Sequence, residues 1–238
     1  MTEKTNIKTR EFTLVELMVV IVIISIILSM TAPAFRRLMV GNSVDSAARM
    51  VSSQLMLARA EAIAKREYVA VIMPAAITVP SSNTEVYKLQ AFRSGYVEKS
   101  GSDWKLKRWV PGTQWTFLPS GALIAAIDDD HGSIAFDSDS KEWILASSWT
   151  PTDNCAYVGD GRDEDDNEVP IVEGATNNSV RAIIFKPNGR ALNREYITVM
   201  EGICSANDAS IERENKSNIN VIEINAYTGQ ARYIYTGK

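Results

Sequence analysis

The sequence predicts an α+β chain. One long N-terminal α-helix, transmembrane in its first half, is followed by antiparallel β-sheets on which its second half packs. Three observations carry this expectation. Residues 17–35, LMVVIVIISIILSMTAPAF, hold no charge. From Val44 to Ala62, apolar residues recur at threes and fours. After Glu67 the texture changes to short β-rich runs punctuated by Gly, Asn, Asp and Pro.

The totals agree with one globular unit behind a hydrophobic segment. The chain has 238 residues with 45% hydrophobic content, so about 200 remain for a domain with a real core. The net charge of −4 hides an asymmetry. Between Asp128 and Glu173 stand fourteen Asp or Glu against Lys141 and Arg162 alone, which leaves the remainder net basic.

Residues 1–11 read as a short cytoplasmic leader, because Lys4, Lys8 and Arg10 outweigh Glu3 and Glu11. The uncharged run has the length of a helix crossing a bilayer core of about 30 Å, and Arg36 and Arg37 close it. A cleaved secretory signal is the rival reading, with Ala32-Pro33-Ala34 as its processing site. The run is, however, longer than the roughly 7 to 15 residues of such a core. Glu16 also argues against it, since an acid at the centre of a membrane helix costs about 2.5 to 3.5 kcal/mol, and less towards an end. A charge retained at that cost implies a partner for it; the plainer alternative is snorkelling to the headgroups.

With these residues in place, FTLVELMVVIVIISIILSMTAPAF resembles the N-terminus of type IV pilins and type II secretion pseudopilins. The resemblance implies that a prepilin peptidase cuts between Glu11 and Phe12 and that the new Phe12 amine is N-methylated. It also implies that Glu16 is the acid on which subunit assembly depends and that Pro33 is the helix kink. In a filament, the amine of one subunit would neutralise the Glu16 carboxylate of its neighbour. Glu11 stands where this family normally carries Gly. Either a dedicated peptidase accepts it, or it is an altered residue, or the chain stays an uncleaved anchor.

The second half of the helix, residues 36–67, is amphipathic. Val44, Ala47, Ala48, Val51, Leu55, Ala58 and Ala62 form one stripe, while Asp45, Arg49, Ser53, Arg59, Glu61 and Lys65 face elsewhere. Pro33 and Gly41 are the expected bends. From 68 to 238 a β-rich domain follows. Its strands are expected at YVAVIM from Tyr68, VYKLQAF from Val86, ALIAAI from Ala122, VRAIIF from Val180, YITVM from Tyr196, NVIEINAY from Asn220 and ARYIY from Ala231. Tyr227 to Gln230 reads as the turn of a hairpin, and Pro187-Asn188-Gly189 as a tight connection between strands.

This order is similar to the H-type pseudopilin and minor pilin family in particular. LARAEAIAKREYVAV, FKPNGRA and TGQARYIY carry the likeness, whereas Gly95 to Pro170 matches no pattern. The resemblance implies a pilin-like, non-enzymatic subunit of a type IV pilus or a type II secretion pseudopilus, at or near its tip. It would be single-pass in the inner membrane with its C-terminal domain in the periplasm, and its partners would be other pilin or pseudopilin subunits.

No catalytic set emerges, and no cofactor or metal is expected. His131 sits in an acidic, turn-like context. Residues 159–168, GDGRDEDDNE, lack the spacing of a calcium loop. Cys155 and Cys204 lie beyond the hydrophobic run, where an oxidising compartment allows a disulfide; two buried thiols are the alternative. Some minor pilins bind DNA, and Arg190, Arg194, Arg232 and Lys238 are the candidate contacts, although only Arg232 remains of the C-terminal arginine signature. A membrane-anchored periplasmic binding protein is the further alternative.

Overall fold

The computed structural model describes residues 13–74, 89–128, 134–137, 142–145, 155–162, 167–171, 179–204, 211–212 and 218–236. Side chains are described for these except at 30–41, 134–137, 142–145, 179, 203–204, 211–212 and 235–236. The chain divides into two compact units, Met1–Met39 and Val40–Lys238. It is α+β: helix α1 spans Leu14–Lys65 and all other regular elements are strands.

The strands are β1 (Val69–Ile72), β2 (Ala91–Ser100), β3 (Asp103–Trp109), β4 (Thr116–Phe117), β5 (Ala122–Asp128), β6 (Ile134–Asp137), β7 (Glu142–Leu145) and β8 (Ala156–Gly159). Then come β9 (Gly161–Arg162), β10 (Glu168–Val169), β11 (Ser179–Phe185), β12 (Glu195–Glu201), β13 (Ile203–Cys204), β14 (Ile211–Glu212), β15 (Ile219–Ile224) and β16 (Ala231–Thr236).

The first sheet has the order β1-β11-β8-β3-β2-β4, and a further β1–β2 pairing closes the first five of these strands into a ring, with β4 attached to β2. A closed ring removes the unpaired edges that an open sheet exposes. Its filling follows from the two-residue period of a strand. Ala70 and Ile72 of β1, Val180, Ala182 and Ile184 of β11, Val158 of β8, Leu106 of β3 and Val97 of β2 belong to one buried cluster. Val69, Val71, Ile183 and Phe185, of opposite parity, join the other. Gly95 in β2 has a steric reason: a Cβ there would stand 2.4 Å from Leu106 Cδ1.

That second cluster is the main core. The stripe Val44, Ala47, Ala48, Val51, Leu55, Ala58 and Ala62 of α1 is fully buried, as its periodicity predicts. It packs with residues of the ring and with Ile124, Ile127, Ile197, Val199, Ile222 and Ile224 of the second sheet, whose order is β16-β15-β12-β5. The Thr198–Ala126 and Val199–Ile124 partners leave Ala125 as an extra residue in β5. This bulge returns Ile127 to the inward face already occupied by Ala122 and Ile124. Arg181, wholly buried, links the sheets by donating from Nε to the Met73 carbonyl at 3.0 Å and from Nη2 to that of Ile124 at 2.7 Å.

Several expectations need correction. The sheets are not purely antiparallel, because β3 and β8 pair in parallel. β2 runs through Ser94 and Gly95 to Ser100, where polar residues and glycine concealed it, and the expected run at Val86 reaches it only at Ala91 and Phe92. β3 and β8 lie inside the stretch that matched no pattern. Residues 86–88 and His131 lie outside the described residues.

Candidate functional site

At the start of α1, Thr13 and Glu16 form a capping box. The Thr13 backbone N–H and hydroxyl each donate to Glu16 Oε2 at 3.3 Å, and the Glu16 N–H donates to Thr13 Oγ1 at 3.3 Å. The pattern Thr-x-x-Glu ahead of an apolar run is the sequence signal for this motif. Glu16 thus has a local task that the sequence reading missed. It occupies the first turn, where a carboxylate also faces the positive end of the helix dipole. The cap engages Oε2, and both residues are exposed.

Beyond the cap, apolar side chains from Leu14 to Leu28 are exposed on every face of the helix. The two serines among them are satisfied internally: Ser25 Oγ donates to the Ile21 carbonyl and Ser29 Oγ to that of Ile26, each at 2.8 Å. Among the described residues no helix is long and apolar enough to cross a membrane; side chains of the run are described as far as Ser29. Glu11 and Phe12 lie outside the described residues, as does the Pro33 side chain, and α1 is continuous through Pro33 and Gly41.

The four basic candidates part company. Lys238 lies outside the described residues. Arg190 is exposed on the turn after β11, where Asn188 Oδ1 accepts its backbone N–H at 3.1 Å. Arg194 and Arg232 converge on one buried acid. Arg194 donates to Glu223 Oε1 from Nε at 2.8 Å and from Nη2 at 2.5 Å, and Arg232 Nε donates to Oε2. The Glu223 side chain is 1% exposed, those of Arg194 and Arg232 56% and 69%. Burial alone would raise the Glu223 pKa; the hydrogen bonds from Arg232 and Arg194 outweigh it and hold the carboxyl below its ordinary range. The bonds to Glu223 in turn raise Arg194, whose guanidinium lies 5.3 Å from the Tyr196 ring centre. The sequence offers no sign that Glu223 joins these arginines, since the pairing depends on the β15–β16 and β12–β15 registers.

Arg59 makes a second convergence. Its Nε donates to the Gly189 carbonyl at 3.0 Å and to the Thr228 carbonyl at 2.9 Å. These three residues come from LARAEAI, FKPNGRA and TGQARYIY, the segments that carried the family likeness. Gly189 and Gly229 both have positive φ, 79° and 65°, and a Cβ on Gly229 would stand 2.0 Å from the Gly189 oxygen. Asn225 Oδ1 secures the second turn by accepting from Tyr227 N at 2.9 Å and Thr228 N at 3.1 Å. The two turns therefore touch each other across the helix end.

Nearby, Glu61 on α1 accepts from the Tyr96 hydroxyl at 2.5 Å, and Glu67, in the bend just after the helix, accepts from Arg108 Nη2 at 2.6 Å. Burial, then the Glu61 bond, pushes Tyr96 up to about 12.

A cleft of about 710 Å³ is lined by Ser102, Asp103, Trp104, Tyr157, Asn193 and Arg194, with Cys155 also on its wall. The Cys204 side chain lies outside the described residues, so the expected disulfide has one described end. Among the described residues no three His, Cys, Asp or Glu stand together as metal ligands.

No family model matches the chain. No curated protein matches it. Among solved structures it is similar to the minor pseudopilin EpsH from the Type 2 Secretion System of Vibrio cholerae, at 10% identity and a TM-score of 0.40, over 82% of this chain and 98% of that one. A likeness so distant carries no weight by itself.

Proposed function

We propose that this chain is a minor pilin or H-type pseudopilin, a non-enzymatic subunit of a type IV pilus or type II secretion pseudopilus. In this reading it is anchored in the inner membrane and stands at or near the filament tip. One observation carries the reading. α1 begins with a capped acid, Glu16, continues through side chains that are apolar on every face, and then becomes a buried single stripe under two sheets. A helix apolar all round must be covered by lipid or by other helices; a helix with one stripe needs a domain of its own. Both demands in one element suit a subunit that is held in a membrane and then drawn into a polymer.

The sequence likeness supplies the chemistry. Cleavage before Phe12 frees an amine, and that amine ion-pairs with Glu16 of an adjacent subunit once both leave water. The cap engages Oε2, and a carboxylate accepts at both of its oxygens. The periplasmic domain then contacts neighbouring subunits. The test is mass determination of the processed chain from cells with and without the prepilin peptidase, together with Glu16→Leu. A start at Phe12 that depends on the peptidase, and an anchored variant that fails to assemble, are the expected results. An uncleaved chain indifferent to the pilus or secretion machinery would contradict the proposal.

A further inference from the structure

We infer that Arg194 and Arg232, held on Glu223, form a docking site for carboxylates, and that its occupant is the acidic run Asp163-Glu164-Asp165-Asp166 of a second copy of this chain. The inference rests on the subunit reading above. Glu223 is a buried anchor and the two guanidinium groups above it are exposed. One carboxylate balances only one of the two cations. The surplus charge sits on two planar forks already fixed in place, so little side-chain entropy remains to be lost on binding. Among the described residues Glu223 is the acid ion-paired with either arginine.

Around the pair, Arg194 and Asn193 line the 710 Å³ cleft, a concavity able to take an extended segment. Asp103, also in the cleft, accepts from Ser102 at 3.1 Å and keeps the local surplus small. A small surplus on two forks suits two carboxylates. A nucleic-acid backbone draws its affinity from many cations along a groove, whereas the pair on Glu223 is two, and Arg190 stands exposed on the turn after β11.

The same chain carries the matching charge. The run falls within residues 163–167, the connection from β9 to β10, which pair Arg162 with Glu168 and Gly161 with Val169. The root of this hairpin is fixed: Asp160 Oδ1 accepts from Ile171 N at 2.7 Å, and Gly161 lies so close to β3 that a Cβ would stand 1.8 Å from the Leu106 oxygen. β8 begins beside the cleft with Ala156 and Tyr157 and runs away from it towards that root. An acidic run and a basic pair carried by the same chain are complementary, which favours contact between copies.

Full-length chain in detergent, examined by sedimentation across protein concentration and salt, tests this. We expect a salt-sensitive self-association that weakens about tenfold or more in R194A/R232A and equally in D163N/E164Q/D165N/D166N. The second variant alters no residue of the two described core clusters or of the arginine site. A mixture of R194E/R232E with D163K/E164K/D165K/D166K, each silent alone, should associate. Unchanged self-association in both neutralised variants, or loss in the arginine variant alone, overturns the inference. So does binding of a DNA duplex, lost in R194A/R232A, without self-association. Peptidase processing does not enter this measurement, so its failure is separable from failure of the subunit reading.

Discussion

The two halves of α1 share a backbone geometry and differ in everything that surrounds it. From Leu14 to Leu28 the apolar side chains are exposed on all faces; from Val44 to Ala62 seven of them form one buried stripe, with Met56 and Leu57 exposed beside it. Four of that stripe's seven members are alanines, which let the helix lie close against both sheets. The contrast teaches that helicity says little about role. What decides is whether the apolar surface is arranged for a partner within the chain or for surroundings outside it.

The sharpest way to break the comparison is to place a charge in each half. Leu55→Asp buries an unpaired carboxylate in the main core and should cost about 4 kcal/mol or more, unfolding Val40–Lys238 in a thermal melt. Leu17→Asp should leave that melt unchanged, because Leu17 is exposed, and impair membrane or polymer association instead. Equal effects of the two on the melt would erase the distinction.

Next in size is the junction at the end of the buried half. Gly229→Val adds a Cβ against the Gly189 oxygen at a positive φ, for an expected loss of about 3 kcal/mol in urea unfolding. Arg59→Met removes both carbonyl contacts and should cost about 2 to 3 kcal/mol. A double variant should lose less than the sum, since both changes damage one contact.

Smaller effects come from titration. The Glu223 pKa is lowered in the folded state. Its stabilisation is therefore complete above the ordinary carboxylate range and disappears as pH falls through the lowered value. Urea midpoints should show an acid-limb loss that Glu223→Gln removes. Tyr96 has the opposite sense: its neutral form is favoured, so its contribution is present below pH 10 and lost as pH rises towards about 12. Tyr96→Phe should flatten that alkaline loss, read by the same titration.

Much of this was legible in the residues because it is local. The stripe from Val44 to Ala62 follows from helical period alone. The turns at Gly189 and Gly229 follow from residues that tolerate positive φ, and the Thr13–Glu16 cap was there to be read in Thr-x-x-Glu. The expected strands at Val180, Tyr196 and Ala231 correspond to β11, β12 and β16. Their alternation fixes which side chains face inward.

Tertiary structure alone decided the rest. Closure of the first sheet through β1–β2, the parallel β3–β8 pair and the bulge at Ala125 set which distant strands meet and in what register. Those registers in turn bring Arg194 and Arg232 to Glu223, and the packing of α1 brings Arg59 to two turns more than a hundred residues away. Side-chain periodicity records which face of a strand is buried and carries no label for its neighbour. Pairing is chosen by the fit of whole surfaces, a property that no short stretch of sequence contains.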